Sequence, residues 1–297
     1  MELISSNFKF DFLSKAKFAA VISLALIAYS IYTWVSIGEA KYGVDYKGGH
    51  EMIVSLAQSS TTEDLRKQLK SAGVDGAIVQ EFEPGSGEFS IKLPGDFGAV
   101  EDIKAQVSTA IAAVTPESKI LATNFIGPTI GAELRRNALI AIVVGLIGIL
   151  GYITYRFEFA FALGAVAALF HDVIVCLGIF LLCGKSLNMA TLAAALTIVG
   201  YSVNDTIIVF DRIREEMIKR REFVLNDVIN FSISATLSRT VITSLLTLFS
   251  ALALLIFGGG AIQDLALFLT VGVITGTYST IFIASPVALA WENFVTK

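Results

Sequence analysis

The chain has 297 residues, of which 55% are hydrophobic and 16% charged, and its formal net charge is −4. Soluble domains usually carry about 25% charged residues, so this composition excludes an ordinary soluble protein. The negative net charge also argues against nucleic acid as a partner, because binding to phosphate backbones depends on lysine and arginine.

Long uncharged apolar runs predict six membrane-spanning helices. About 18 or more such residues are long enough to cross the hydrocarbon core. The predicted spans are 18–37, 138–155, 159–183, 190–210, 240–263 and 265–291. The first run could instead be a signal peptide, but its apolar core of 20 residues is longer than usual, so we expect an uncleaved anchor.

Lysine and arginine residues beside the spans predict that both termini are cytoplasmic. The positive residues on that side are Lys9, Lys15, Lys17, Arg156 and Lys297, with those of the cytoplasmic loop 211–239. Arg135 and Arg136 fall on the other side, after a long segment, and long segments cross largely regardless of their charge. We therefore expect residues 38–134 to form an external domain.

The external domain shows strand and helix patterns in the order βαββαβ. Apolar alternation predicts strands at 51–57, 77–83, 88–93 and 119–125, and helical periodicity predicts helices at 61–73 and 98–114. This order is that of the ferredoxin-like α+β fold, which by itself supports no particular function. The predicted organisation is 1–37 for the N-terminus and first span, 38–134 for the domain, and 135–297 for spans two to six.

Polar residues within the predicted spans are the candidate functional residues. Asp205 and Asn204 lie in the fourth span, and Arg239 lies where the fifth begins. A carboxylate at mid-membrane costs about 2.5–3.5 kcal/mol on insertion scales, so it must face protein or water. Asp205 and Arg239 have similar predicted depths and could pair, and a carboxylate whose charge state depends on a nearby arginine can carry protons. A static pair that only fixes helix packing is the alternative.

Two further titratable residues, His171 and Asp172, lie near the middle of the third span. Adjacent helix positions point about 100° apart, so we expect the two side chains not to face one partner. Asp172 is expected to face inward and to join the proton relay, and His171 to be a packing residue. Asp211 and Arg212 are expected at a solvated helix end.

No grouping of residues predicts a metal site, a cofactor site or a catalytic nucleophile. The two histidines are 121 residues apart, and neither a G-x-S-x-G motif nor a phosphate loop is present. An intramembrane aspartyl protease would need Asp172 and Asp205 at one depth, whereas their predicted depths differ by about 10 Å. We therefore expect no enzyme. Asp45, Gly48 and Gly49 predict a tight turn between membrane and domain.

Five stretches of the chain together closely resemble the SecD/SecF family of protein-export membrane proteins. They are GVDYKGG (43–49), HDV (171–173), GYSVNDTIIVFDRIREE (200–216), LSRTVITSL (237–245) and GTYSTIFIASP (276–286). The resemblance covers essentially the whole chain, in order. Tyr46 and Lys47 depart from the common family pattern, while Asp45 and the two glycines are kept.

The resemblance implies that the six spans are half of an RND-like twelve-helix unit formed with a SecD-like chain in the bacterial inner membrane. It implies an accessory role in Sec translocation, in which the proton gradient drives late-stage export of unfolded preproteins through SecYEG, with YajC as a further partner. It places a proton relay at Asp205 and Arg239, with Asn204 beside them. Half of a small-molecule exporter and a non-coupled membrane scaffold are the alternatives.

Overall fold

The computed structural model describes residues 10–56, 60–81, 85–95, 98–220 and 224–295. Lys9, Lys297, residues 82–83 of the predicted second strand and residues 221–223 of the 211–239 loop lie outside the described residues. Six helical stretches are long and apolar enough to cross a membrane. They are Leu13–Lys41, Pro128–Arg156, Phe159–Leu182, Met189–Lys219, Leu225–Phe257 and Ile262–Val295. The prediction of a six-span helical membrane protein is confirmed.

Ten α-helices and four strands make up the described chain. The helices are α1 Ala16–Ile37, α2 Val44–Lys47, α3 Thr62–Ser71, α4 Val100–Val114, α5 Pro128–Arg156, α6 Phe159–Leu182, α7 Met189–Lys219, α8 Leu225–Phe257, α9 Gly260–Ser279 and α10 Ser285–Val295. The strands are β1 Gly49–Ser55, β2 Ile78–Glu81, β3 Glu88–Pro94 and β4 Lys119–Ile126. A π-helical turn, Thr280–Ala284, joins α9 to α10.

The segment between the first two spans is a ferredoxin-like α+β unit. Its four strands form one antiparallel sheet in the order β2-β3-β1-β4, with α3 and α4 as the two crossing helices. The predicted apolar faces form its core, since Met52, Val54 and Leu56 of the first strand region are all buried. The hydroxyl of Thr61 accepts a hydrogen bond from the amide of Asp64 at 3.2 Å, which is the predicted helix cap.

The structure moves three predicted boundaries. α5 begins at Pro128, so residues 128–134 belong to a membrane helix although the pattern placed them in the domain; proline at the first helical position needs no amide partner. The chain leaves the helix at Gly258 and Gly259, so Asp264, predicted to separate the last two spans, lies inside α9. The described part of the 211–239 loop is helical apart from Arg220 and Val224, because α7 extends to Lys219 and α8 begins at Leu225.

Helices α6, α7 and α9 form the centre of the membrane bundle. Small residues allow the close approach: a Cβ added at Gly272 of α9 would clash with Ile198 of α7, and one at Gly276 would lie 3.1 Å from the Cβ of Ser202. In the most apolar part of α5, in contrast, only 6% of the residues are buried inside the structure. The polar side chains of α6, α7 and α9 are therefore surrounded by other residues of the chain. Most of the surface of α5, in contrast, contacts no other part of the described chain.

Candidate functional site

Asp205 lies on the buried side of α7, in the middle of the helix. Its side chain is only 3% exposed, and its Oδ2 has no hydrogen-bond partner within the described residues. Arg239 of α8 is close enough for its charge to act on Asp205, although the two form no ion pair in the described chain. The geometry thus combines a carboxylate that is withdrawn from solvent with a cation that is near but not in contact.

Asp205 and Arg239 lie at the same level of the α7–α8 helix pair. Each is 14 residues from the connection between the two antiparallel helices, counted from Lys219 and from Leu225. At 1.5 Å per residue, both are about 21 Å from that end of the pair. The similar depth expected from the sequence is therefore observed.

The neighbouring polar residues face outward from the bundle. Asn204 and Thr197 of α7 are exposed, as are Arg239 and Thr243 of α8. The threonine hydroxyls donate to carbonyls of their own helices, Thr197 to Ala193 at 2.8 Å and Thr243 to Arg239 at 3.1 Å. The Asn204 amide and the Arg239 guanidinium lie on the outer surface of the helix bundle. In a membrane, such groups are covered by protein or water.

Asp172 forms a different kind of site, a buried hydrogen-bond cluster at the centre of the bundle. Its Oδ2 accepts hydrogen bonds from Ser202 of α7 at 2.6 Å and from Ser279 of α9 at 2.7 Å. Its Oδ1 lies 3.0 Å from Nδ1 of His171, and the carboxylate is 1% exposed. Asp172 faces inward, and it ties three helices together. Ser202 is three residues from Asp205, so the two carboxylates differ in depth by about 4.5 Å and not by the expected 10 Å. Both oxygens of Asp172 are engaged in contacts other than Asp205.

His171 contacts Asp172 directly, although the two were expected to face apart. The imidazole bends toward the neighbouring carboxylate and packs against the ring of Tyr278, with centroids 5.8 Å apart. Its Nε2 is buried without a hydrogen-bond partner among the described residues. Successive Cβ atoms point about 100° apart around a helix, but long side chains can still turn toward each other so that their ends make contact.

The π-helical turn begins beside this cluster. Ser279 immediately precedes it, and its first residue, Thr280, shares a 2.9 Å hydrogen bond with Thr206 of α7. Pro286 follows the turn and lacks the amide that a regular α-helix needs, which explains the local change of hydrogen bonding. π-helical turns are often located at functional positions.

Asp211 and Arg212 lie in a wetter environment. Asp211 forms a 3.1 Å ion pair with Arg156, and both side chains are substantially exposed. Arg212 pairs with Glu215 at 2.7 Å and Glu216 at 2.9 Å. The exposure of Asp211 agrees with the expected solvated position, but the expected helix end is wrong, because α7 continues for about two more turns to Lys219.

The GVDYKGG stretch connects the first span, the sheet and the start of α7. The Asp45 carboxylate accepts a 2.8 Å hydrogen bond from the amide of Met189, the first residue of α7. Gly49 has φ +131°, and a Cβ there would clash with the carbonyl oxygen of Leu93. A Cβ at Gly48 would lie 2.8 Å from the Cα of Pro128, where α5 begins. The motif is therefore a tight structural connector, and its close approaches require glycine.

A sequence profile described as protein export membrane protein SecD/SecF, C-terminal, matches residues 106–294. The chain belongs to the SecD/SecF family. The protein translocase subunit SecF of Thermodesulfovibrio yellowstonii is 41% identical over 284 residues, covering 94% of this chain and 93% of the relative. That of Calditerrivibrio nitroreducens is 38% identical, covering 96% of this chain and 95% of the relative.

A solved structure of the family has the same fold. The crystal structure of SecDF from Thermus thermophilus, described as a translocon-associated membrane protein, matches with a TM-score of 0.86 and 37% sequence identity. The match covers 99% of this chain and 40% of the SecDF chain. This SecD/SecF family member therefore spans about two fifths of that longer protein. The sequence resemblance to the family is confirmed.

One buried polar cluster of this SecD/SecF family member was missed from the sequence. Asp264 of α9 is 1% exposed and forms a 2.9 Å ion pair with Lys185, which lies between α6 and α7. It also accepts hydrogen bonds from Asn188 at 3.1 Å and from Gln80 of the sheet at 3.4 Å. Because the predicted break between the last spans fell at Asp264, the pattern gave no signal that this carboxylate was buried.

The described residues contain no group of three or more histidine, cysteine, aspartate or glutamate side chains that could hold a metal ion.

Proposed function

We propose that this chain is the SecF-type subunit that couples the proton gradient to late-stage export of preproteins, together with a SecD-like partner. Family membership supports the role in protein export. The relative named SecDF, in which a chain of this type makes up 40% of a longer protein, supports the partner. SecYEG and YajC are the further partners proposed, and unfolded preproteins are the substrates.

The observation that carries the proton coupling is the geometry of Asp205. Its carboxylate is buried in a spanning helix, lacks an ion pair within the described residues, and lies within range of the Arg239 charge. When Asp205 is ionised, it attracts the guanidinium across the α7–α8 contact, and when it takes up a proton, that attraction ends. The two charge states therefore favour different positions of Arg239, which gives proton uptake a mechanical consequence.

The outward-facing polar side chains support a second chain at this site. Asn204 and Arg239 are exposed on spanning helices, where an uncovered charge is costly. A SecD-like chain that contributes an acidic side chain would cover Arg239 and give it an alternative partner when Asp205 is protonated. Asn204, beside Asp205, would hydrogen-bond to the same partner or to water. A non-coupled scaffold accounts for neither charge, and family membership favours protein export over a small-molecule exporter.

Asp172 is proposed as the inner acid of the relay, with a holding role in its ionised state. Hydrogen bonds from Ser202 and Ser279 keep α6, α7 and α9 together. Hydrogen bonds to a charged acceptor are roughly twice as strong as those between neutral groups. A proton on Asp172 would weaken both serine contacts and loosen the three helices from one another.

The proposed orientation places both termini in the cytoplasm and the ferredoxin-like unit outside the inner membrane. The basic residues beside the spans support this orientation, including the exposed Arg156–Asp211 pair at the expected cytoplasmic end. A cysteine introduced at Ser86 should react with an impermeant reagent from outside, and one at Lys219 should not. Labelling of the Lys219 variant alone would contradict the orientation.

The coupling is tested by measuring late-stage translocation in inverted membrane vesicles with and without a proton gradient. Asp205→Asn keeps the shape and hydrogen-bonding capacity of the side chain but cannot titrate, so it should abolish the gradient-dependent stimulation. Arg239→Met should do the same, and Asp211→Asn, whose exposed carboxylate pairs with Arg156, is the matched control that should retain it. Co-purification of each variant with the partner reports folding. A full gradient response in Asp205→Asn would refute the relay.

A further inference from the structure

We propose that a groove between α5 and helices α6 and α7 binds one anionic phospholipid, with its phosphate between Arg135 and Arg136 and one acyl chain in the groove. The groove lies at the end of the bundle that carries the ferredoxin-like unit. This lipid site is independent of the proposed proton relay and involves none of its residues.

The groove exists because α5 touches the rest of the bundle at two separate levels. Near its start, a Cβ added at Gly131 would lie 2.7 Å from the amide nitrogen of Gly48, and lower down, one at Gly145 would lie 3.7 Å from Leu196. Between these contacts is a cavity of about 450 Å³. Its wall is apolar and comprises Leu139, Ile142, Val173, Leu177, Leu192 and Ala195.

The mouth of the groove has the composition of a membrane–water interface. Trp34, Tyr42 and Tyr46 line it, and aromatic residues of this kind are enriched at the level of lipid headgroups. Arg135 and Arg136 lie at the same end. An apolar channel that opens between aromatic rings and arginines matches the order of parts in a phospholipid, from acyl chain to phosphate.

Two arginines place positive charge at this mouth. The Arg135 guanidinium lies 4.9 Å from the centre of the Tyr42 ring, and the Lys41 amine lies 4.5 Å from that of Trp34. The carboxylate paired with Arg135 is that of Glu39, at 3.8 Å with both side chains well exposed. Exposed pairs of this kind contribute little, so Arg135 can exchange Glu39 for a phosphate.

The headgroup must supply the selectivity of this site. An acyl chain that moves from the bilayer into an apolar groove gains almost no hydrophobic free energy, because lipid tails are as apolar as the groove wall. Arginine forms bidentate hydrogen bonds with phosphate, which supplies the missing attraction. Arg135 and Arg136 at the mouth therefore favour a headgroup with net negative charge over a zwitterionic one.

The dimensions favour an acyl chain over a helix of another protein. From Ala132 to Ile142, the groove follows α5 for about 15 Å at 1.5 Å per residue. A helix with side chains has a diameter of about 10–12 Å and would need a wider opening than a single acyl chain does.

The test is native mass spectrometry of the full chain in detergent, titrated with phosphatidylglycerol or with phosphatidylethanolamine. We expect one phosphatidylglycerol to bind at least tenfold more tightly than phosphatidylethanolamine. The double variant Arg135→Gln/Arg136→Gln should lose this preference. Leu139→Trp, which fills the groove and keeps the charge, should weaken binding of both lipids. Arg156→Gln, at the opposite end of α5, is the matched control and should bind as the unaltered chain does.

Three results would overturn the proposal. Equal binding of the two lipids would remove the headgroup recognition, and unchanged binding by Leu139→Trp would show that the arginines attract lipid without the groove. A photo-crosslinking group at position 139, introduced into the chain together with its partner, should capture lipid. Capture of a polypeptide there instead would show that the groove is a protein-docking site.

Discussion

The ion pair between Lys185 and Asp264 predicts a measurable coupling between the α6–α7 connection and α9. Lys185→Met keeps the length of the side chain and removes its charge, leaving the Asp264 carboxylate buried with only the hydrogen bonds from Asn188 and Gln80. Removing one partner of a fully buried pair costs about 3–5 kcal/mol. The two remaining donors and the 18% exposure of Lys185 reduce the cost here, so we expect a loss of about 2–3 kcal/mol.

A second substitution completes a double-mutant cycle, which distinguishes the contribution of the Lys185–Asp264 ion pair from that of its other neighbours. Asp264→Leu in the Lys185→Met background removes the stranded carboxylate, and a buried pair replaced by apolar residues is often neutral in stability. The double variant should therefore recover most of the loss, to within about 1 kcal/mol of the unaltered chain. Lys185→Arg, which keeps the charge, should stay close to the starting stability.

Thermal unfolding of the detergent-solubilised full chain provides the assay. A loss of 2–3 kcal/mol corresponds to a decrease in Tm of about 5 °C for a chain of this size. Lys219→Met removes an exposed cation, 2.6 Å from Glu215, and should cause no measurable shift. A Lys185→Met variant as stable as this control would refute the reasoning, as would a double variant whose loss equals the sum of the two single losses.

Three further predictions concern the connector between the first span and the sheet. Asp45→Ala removes the acceptor for the Met189 amide and should lower stability by about 1 kcal/mol in thermal unfolding, whereas Asp45→Asn should retain most of it. Gly49→Ala should prevent accumulation of folded protein, seen as loss of a monodisperse chromatographic peak, because its Cβ would overlap the Leu93 carbonyl at φ +131°. Burial, and to a smaller extent the nearby Asp45 charge, raises the pKa of Tyr46 from 10.0 to about 12. The protonated Tyr46 side chain therefore contributes its full stabilisation below pH 10, and this contribution is lost as the pH rises through 12. Tyr46→Phe should remove that part of the alkaline loss, measured as Tm against pH, and an identical pH profile in the variant would contradict the assignment.

The ferredoxin-like unit and the spans were predictable because their information is local. Apolar alternation correctly placed Met52, Val54 and Leu56 on the buried face, since successive strand side chains point to opposite sides. Uncharged runs correctly indicated six spans, because the bilayer demands long apolar helices. The ends of the spans were predicted less accurately, and the helix break at Gly258 was missed. The burial of Asp264 could not be predicted from the local pattern, because its ion-pair partner, Lys185, comes from another part of the chain.

By itself, the sequence determined that this is a six-span membrane protein with one α+β unit, and that Asp205 and Arg239 stand at one depth on neighbouring helices. Only the tertiary structure decided which polar groups meet. It places the Ser202 and Ser279 hydroxyls on Asp172, and it leaves Asp205 without an ion pair in the described chain. The physical reason is that periodicity specifies the face of a helix, whereas hydrogen-bond partners depend on how helices distant in sequence rotate and approach one another.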